Sequence, residues 1–339
     1  VWCEGERQVG RQKKTGKRNI PDLSTCPPAH CPPMNQSPPP SPFPKRLKNT
    51  LIYQGVRILI ALINRISRRL ALSLCEALAF MTYLFAPGTR RLTLDNLALA
   101  FGSQMTVRER QRLGRQVFRN LGRNAVDAIR LPKITADNVD DLVQAEGIAY
   151  LDEAYKMGKG VVAAGCHLGN FELLGCYLAL KGYEVTVVTA TLYDPRLDTL
   201  LRNNRMKGGL HIEKREYATS AVLRALRRGH IVGLLIDQDT RVPGTFVQFF
   251  GQPAHTSVGP AILADRTGAP IVPMAIHRLS DDTHQITIRP PIPSSGHSKE
   301  AIHKTTQAYT RAIEQFIRHT PAQWPWMHDR WKTKEGSKP

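Results

Sequence analysis

The 339-residue sequence predicts an α/β fold: a mostly parallel central sheet flanked by helices, with an N-terminal membrane-anchoring helix or hairpin. Two observations carry this expectation. Between residues 160 and 276, short apolar runs alternate with helical patterns, the order that a parallel sheet requires. Between residues 51 and 86 lie two apolar stretches separated by arginines, each slightly short for a comfortable membrane span.

Three segments follow from composition. Residues 1–48 carry Lys13, Lys14, Lys17 and Arg18, then nine prolines between Pro27 and Pro44. Such a tract cannot build a packed core and is expected to be extended and mobile. The first methionine is Met34, so 1–33 is expected to be a dispensable upstream extension. It is not a signal peptide, because no apolar region or small-residue cleavage site follows its charges. Residues 49–88 are expected to anchor the protein, as one tilted helix or a hairpin lying in the interface. Arg57, Arg65, Arg68 and Arg69 beside the apolar stretches favour an anionic membrane surface on the cytoplasmic side. A pair of buried core helices would give the same pattern.

Residues 89–339 make the third segment. The stretch 90–130 reads as helices, with Thr106 capping one and Glu109 completing a capping box. Its polar face carries Arg108, Arg110, Arg112, Arg115, Arg119 and Arg123, which suits either solvent or phosphate. Strands are expected over 160–166 (GVVAAGC), 184–189 (EVTVVT), 231–236 (IVGLLI), 271–276 (IVPMAI) and 285–288. Helices are expected over 170–180, 194–205, 218–228, 257–267 and 299–318.

The charge balance, 47 Lys+Arg against 28 Asp+Glu, calls for an anionic partner. Nucleic acid is excluded as that partner, since no RNP, KH, helix-turn-helix or zinc-finger pattern is present. Gly165 and Gly169 do not form a GxGxxG dinucleotide fingerprint, and no cofactor is implied. The six cysteines lack CxxC spacing and read as reduced, buried thiols; no metal site is expected.

The chemistry concentrates at Cys166-His167-Leu168-Gly169-Asn170-Phe171-Glu172. His167 follows a buried strand, and Gly169 and Asn170 suit a turn and a helix cap. Glu172 then falls in the first helical turn, where the dipole favours its anion. Two meanings are open for this pair. It is a base with its orienting carboxylate, or a core histidine beside a helix-capping glutamate. There is no GxSxG, so a substrate hydroxyl rather than an enzyme nucleophile would be deprotonated.

His167 and Glu172 resemble the HX4D/E motif of glycerolipid-type acyltransferases, and the chain as a whole resembles the bacterial lipid A biosynthesis acyltransferases. Four further blocks carry the likeness in the family's order. They are Asn96-Leu97 through Phe101; Asp237-Gln238-Asp239 followed by 245–251 (TFVQFFG); 267–273 (TGAPIVP); and 324–332 (WPWMHDRWK). Gln248 and Trp331 depart from the family's usual proline and phenylalanine. The resemblance implies a glycerolipid-acyltransferase-like core that moves a fatty acyl chain from acyl carrier protein to a hydroxyl of a lipid A precursor. It implies His167 as general base, Glu172 as its orienter, and Asn170 among the substrate-binding residues at the helix start. An oxyanion site is expected at the N–H groups there. Arg202 or Arg205 is expected to assist, as a bidentate guanidinium suits phosphate or carboxylate. Asp237, Gln238 and Asp239, at another strand end, are expected to bind sugar hydroxyls or order the arginine. Trp324, Trp326 and Trp331 are expected either as an aromatic lid on the cleft or at the membrane interface. A coenzyme A thioester donor, another glycolipid or phospholipid acceptor, and a catalytically silent lipid-binding relative are the competing readings.

Overall fold

Val161–Gly165 (β2) is buried at every position and sits near the middle of a seven-stranded sheet. With strands numbered along the chain, the spatial order begins β1 (Val143–Glu146), β9 (His284–Ile288), β8 (Ile271–Arg278) and β2. It continues through β5 (Ile231–Leu235), β3 (Val185–Thr189) and β4 (His211–Lys214). Strands β8, β2, β5, β3 and β4 are parallel. Strand β9 is antiparallel to β8, and β1 pairs parallel with β9. The unbroken apolar run of β2 (VVAAG), buried at every position, and the buried start of β5 fit strands covered on both faces. This computed structural model describes residues 43–214, 218–240 and 242–336, so the tract up to residue 42 lies outside the described residues.

Helices α5 (Ile148–Lys156) and α6 (Phe171–Leu180) pack with Val161 and Ala163 in one apolar cluster. Helices α8 (Ala218–Arg227), α9 (Gly259–Thr267) and α10 (Lys299–His319) pack with Val162 and Ala164 in another. Helix α7 (Pro195–Lys207) joins β3 to β4. A separate hairpin, β6 (Gly244–Phe249) and β7 (Gln252–Ser257), lies between β5 and α9 in the chain. The expected strands and helices of 160–318 are all present, with ends shifted by a few residues. The hairpin, β1, β4 and α5 are additions. The described cysteines, Cys75, Cys166 and Cys176, are free and buried as expected.

Upstream, α1 (Phe43–Arg65) and α2 (Arg68–Phe85) break at Ser67, whose hydroxyl caps α2. Helix α3 (Pro87–Phe101) follows at once, and α4 (Val107–Arg130) begins with the expected capping box at Thr106 and Glu109. Helix α2 lies tightly on α4. A Cβ at Gly122 would come within 2.2 Å of the Cys75 carbonyl oxygen. Arg68 grips Asp127 of α4 through Nε (2.8 Å) and a terminal nitrogen (2.9 Å). Arg278 (2.8 Å) and His284 (3.1 Å) meet the same carboxylate. Burial raises the Asp127 carboxyl's pKa, but His284 and the two arginines outweigh it and hold it well below the ordinary range. Among the described residues no single helix is long and apolar enough to cross a membrane. Helix α2 and the stretch Pro87–Gln104 reach that length and hydropathy only together, bent by 90°.

Removing one partner from a buried ionic cluster leaves the others uncompensated. Asp127→Ala should therefore destabilise the protein by roughly 3–5 kcal/mol. A urea midpoint equal to wild type would show that the cluster does not hold α2 and α4 on the sheet.

Candidate active site

Parallel register builds the site. Gly165 of β2 lies opposite Leu235 of β5, and Ile236 N–H donates to the Gly165 carbonyl (3.1 Å). Two residues farther along each strand, the same register sets His167 opposite Asp237. This is the carboxyl edge of the parallel strands, where open α/β sheets hold ligands. The chain then turns at Gly169, with φ +56°, where a Cβ would stand 2.3 Å from the Ile276 carbonyl oxygen. Only glycine fits there. Asn170 then starts α6, its side-chain oxygen accepting from Leu173 N–H (3.2 Å).

Asp237 is buried and receives three donors: His167 N–H (2.9 Å), His167 Nδ1 (2.8 Å) and Trp324 Nε1 (2.7 Å). An ionised carboxylate only accepts, so its bond assigns the ring proton to Nδ1 and leaves Nε2 with a free lone pair. Burial raises the Asp237 pKa, but the charge and bonds of His167 outweigh it, and the net shift is downward. Burial lowers the His167 pKa, while Asp237 and then Glu172 raise it, and the net shift is upward from 6.5. The Phe171 ring meets the imidazole edge-on at 4.9 Å.

The orienting carboxylate is thus Asp237 and not Glu172. Glu172, in the first turn of α6, is gripped by Arg205 of α7. Nε donates to Oε2 (2.8 Å) and a terminal nitrogen to Oε1. A planar guanidinium matches a carboxylate in two bonds, whereas His167 already has its partner across the sheet. Glu172 and Arg205 still line the same cavity as His167.

The other expected site residues divide. Gln238 and Arg205 face the cavity, whereas Arg202 and Asn170 are absent from its wall. Asn170 is the α6 cap, and its buried Nδ2 has no partner among the described residues. Neither aspartate is offered to sugar hydroxyls. Asp237 is saturated by His167 and Trp324, and Asp239 accepts from Thr333 N–H (2.7 Å) and Oγ1 (3.0 Å). The Asp239 N–H donates to His328 Nε2 (3.0 Å). Trp324, Trp326 and Trp331 are 0, 0 and 4% exposed, so they form neither lid nor membrane belt. Arg330 is buried under Phe249 and donates to the His255 carbonyl (2.6 Å) and Thr256 Oγ1 (2.5 Å). Burial lowers its pKa to about 10.

The cavity holds about 730 Å³ and runs along β2, β3 and β5 to their carboxyl ends, where His167 lies. Leu174, Leu178, Leu201, Val222, Leu234 and Leu263 give it apolar walls, with His167, Glu172, Arg205 and Gln238 as polar groups. Cys166 also touches it, but burial pushes that thiol well above its usual pKa, so it is no ready nucleophile. The arrangement offers an oriented base beside room for a hydrocarbon chain.

The family model for bacterial lipid A biosynthesis acyltransferases matches residues 43–333, and the chain belongs to that family. It is an acyltransferase that esterifies hydroxyl groups. The phosphatidylinositol mannoside acyltransferase of Mycobacterium tuberculosis is 29% identical over 218 residues, 62% of this chain and 67% of that protein. The lipid A biosynthesis palmitoleoyltransferase of Escherichia coli is 26% identical over 245 residues, 70% of this chain and 77% of its own. The lauroyltransferase of the same organism is 24% identical over 243 residues, covering 70% and 78%.

His167→Ala should lower turnover by about 10²–10⁴-fold. Asp237→Asn should cost a similar factor, since an amide can stabilise the wrong tautomer. In the wild type, kcat/KM should rise with pH through an apparent pKa above 6.5, as the imidazolium loses its proton. Residual Asp237→Asn activity should show that limb at lower pH, because the charge that raises His167 is gone. An unmoved limb would refute the pairing.

Proposed function

We propose that the protein transfers a fatty acyl chain from acyl carrier protein thioester to a hydroxyl of a lipid A precursor at a cytoplasmic membrane surface. The observation that carries this is the His167–Asp237 pair at an apolar cavity of about 730 Å³. His167 Nε2 takes the acceptor's hydroxyl proton as the oxygen attacks the thioester carbonyl. The oxyanion rests on N–H groups at the start of α6 and on the guanidinium N–H that Glu172 leaves free on Arg205. Collapse expels the thiolate, which takes the proton from the imidazolium, and the product is an ester. Glu172 is a positioning group for Arg205 in this scheme.

Surface chemistry supports the partners. Of the six arginines on the polar side of α4, Arg108, Arg112, Arg115 and Arg119 are exposed, a basic patch for an acidic carrier. Arg110 is spent on the carbonyls of Gly102 and Met105, and Arg123 on Glu76 and Asp282. Ile58, Leu70, Leu78 and Phe85 stand exposed on α1 and α2, with Arg57, Arg65 and Arg69 also in solvent. Apolar side chains with flanking cations suit an anionic lipid interface. A second reading, a different glycolipid acceptor, is favoured by the 29% identity to the phosphatidylinositol mannoside enzyme; we pair it with a coenzyme A thioester as donor.

One assay separates them. Purified protein is given either thioester with either glycolipid, and products are read by mass spectrometry. The first reading expects ester on the lipid A precursor with the carrier-protein donor, and a donor KM raised when Arg112 and Arg115 are changed to Glu. Product only from the coenzyme A thioester and a mannosylated lipid would establish the second reading instead. Leu78→Asp with Phe85→Asp should move the protein off anionic liposomes. Unchanged liposome binding would place the anchor elsewhere.

A further inference from the structure

We propose that Glu184, His211 and His230 form a divalent-metal site of the zinc type at the amino edge of the sheet, the end opposite His167. Register brings them together. Thr186 of β3 lies opposite His211 of β4, and Val185 opposite Ile231 of β5. Stepping back one residue sets Glu184 beside His230, and the Ile231 N–H donates to the Glu184 carbonyl (2.8 Å). Side chains alternate along a strand, so Glu184 and Thr186 share a face, and their parallel neighbours His230 and His211 share it too. One donor atom from each of the three residues lies within 4.8 Å of the others.

The chemistry suits a borderline ion. Two imidazoles and a carboxylate are ordinary zinc donors, and an exposed site leaves the fourth position to water. Donor atoms in tetrahedral zinc stand roughly 3.4 Å apart, given bonds of about 2.0–2.1 Å. His211 Nε2 and Glu184 Oε2 are hydrogen-bonded at 2.7 Å, a contact that an ion would replace. His230 Nδ1 lies 3.0 Å from Thr186 Oγ1, the kind of hydrogen bond that orients metal-binding rings.

The site has a mechanical consequence. Strand β4 is the outermost strand and is paired only through β3. An ion held from β3, β4 and β5 would staple that edge, close to where α7 delivers Arg205. The site is independent of acyl transfer and is tested without it.

Zn²⁺ is titrated into metal-free, untagged full chain by calorimetry, with Co²⁺ absorption as a report on tetrahedral geometry. One equivalent should bind, raise the melting temperature by a few degrees, and give the intense Co²⁺ visible bands. His211→Ala and His230→Ala should each weaken binding at least tenfold and abolish the thermal shift. His211→Gln provides the same comparison if the alanine variant unfolds. Both histidine variants should keep wild-type acyl transfer. Absence of binding, or binding equally tight in these variants, overturns the proposal. The second outcome would assign the ion to other groups.

Discussion

The buried carboxylate of Asp237 is the constraint on which the site depends. An ionised group at zero side-chain exposure is costly unless its lone pairs are met, and here three donors meet them. Two come from His167 and one from Trp324, so one residue ties the base to the C-terminal segment. That segment is tied down again by Asn96, whose amide donates to the carbonyls of Trp326 and His328 (2.8 Å each). Asp239 and Arg330 add further ties. Sequence blocks that lie far apart are therefore one assembly in space. Asn96, the 237–239 acidic block and the tryptophan-rich terminus build the seat of Asp237, and Phe249 and Phe250 pack beneath it against Trp324 and Trp326.

Much of this fold is legible in the sequence because its central strands are unbroken apolar runs, β2 and β8 almost wholly buried. Runs such as VVAAG and IVGLL need no partner to be recognised as strands, and Asn170 and Thr106 mark helix starts by capping chemistry. Strand β4, His-Ile-Glu-Lys, is an edge strand with exposed ends and so has no apolar run to betray it. The β6–β7 hairpin hides for another reason. Its turn residues are Phe250 and Gly251, both at positive φ, and phenylalanine is a poor turn former. Burial of the Phe250 ring and a bond from its N–H to Glu314 (2.8 Å) hold it there.

The site was legible in membership and illegible in pairing. His167, Glu172, Arg205, Asp237 and Gln238 all stand out by type and by place at strand or helix ends. Which carboxylate serves the histidine depends on the register of β2 against β5, a property of the folded sheet that no local pattern encodes. The five-residue spacing drew attention to Glu172, but a helix start turns that side chain toward α7, where Arg205 waits. The tryptophans misled by composition. Tryptophan near cations resembles a membrane belt, yet the indole N–H of Trp324 has a carboxylate to serve, which is why it is inside.

Two carboxylates at one site, one buried behind His167 and one facing the cavity, each with its own cation or proton donor, make a division of labour that a single acid could not. In the proposed mechanism the buried Asp237, bonded to His167 and Trp324, holds the imidazole tautomer and favours the imidazolium that proton abstraction creates. Glu172 faces the cavity but is neutralised by Arg205, so it does not repel an anionic oxygen forming nearby. Were Glu172 free, its charge would oppose the oxyanion; were Asp237 open to solvent, its influence on the imidazole would be screened. The apolar walls that accommodate a chain also keep local dielectric low, and this strengthens both pairs. In that mechanism hydrocarbon binding and proton transfer share one apolar-walled cavity, and a polar substitution at Leu174 or Leu234 would weaken both.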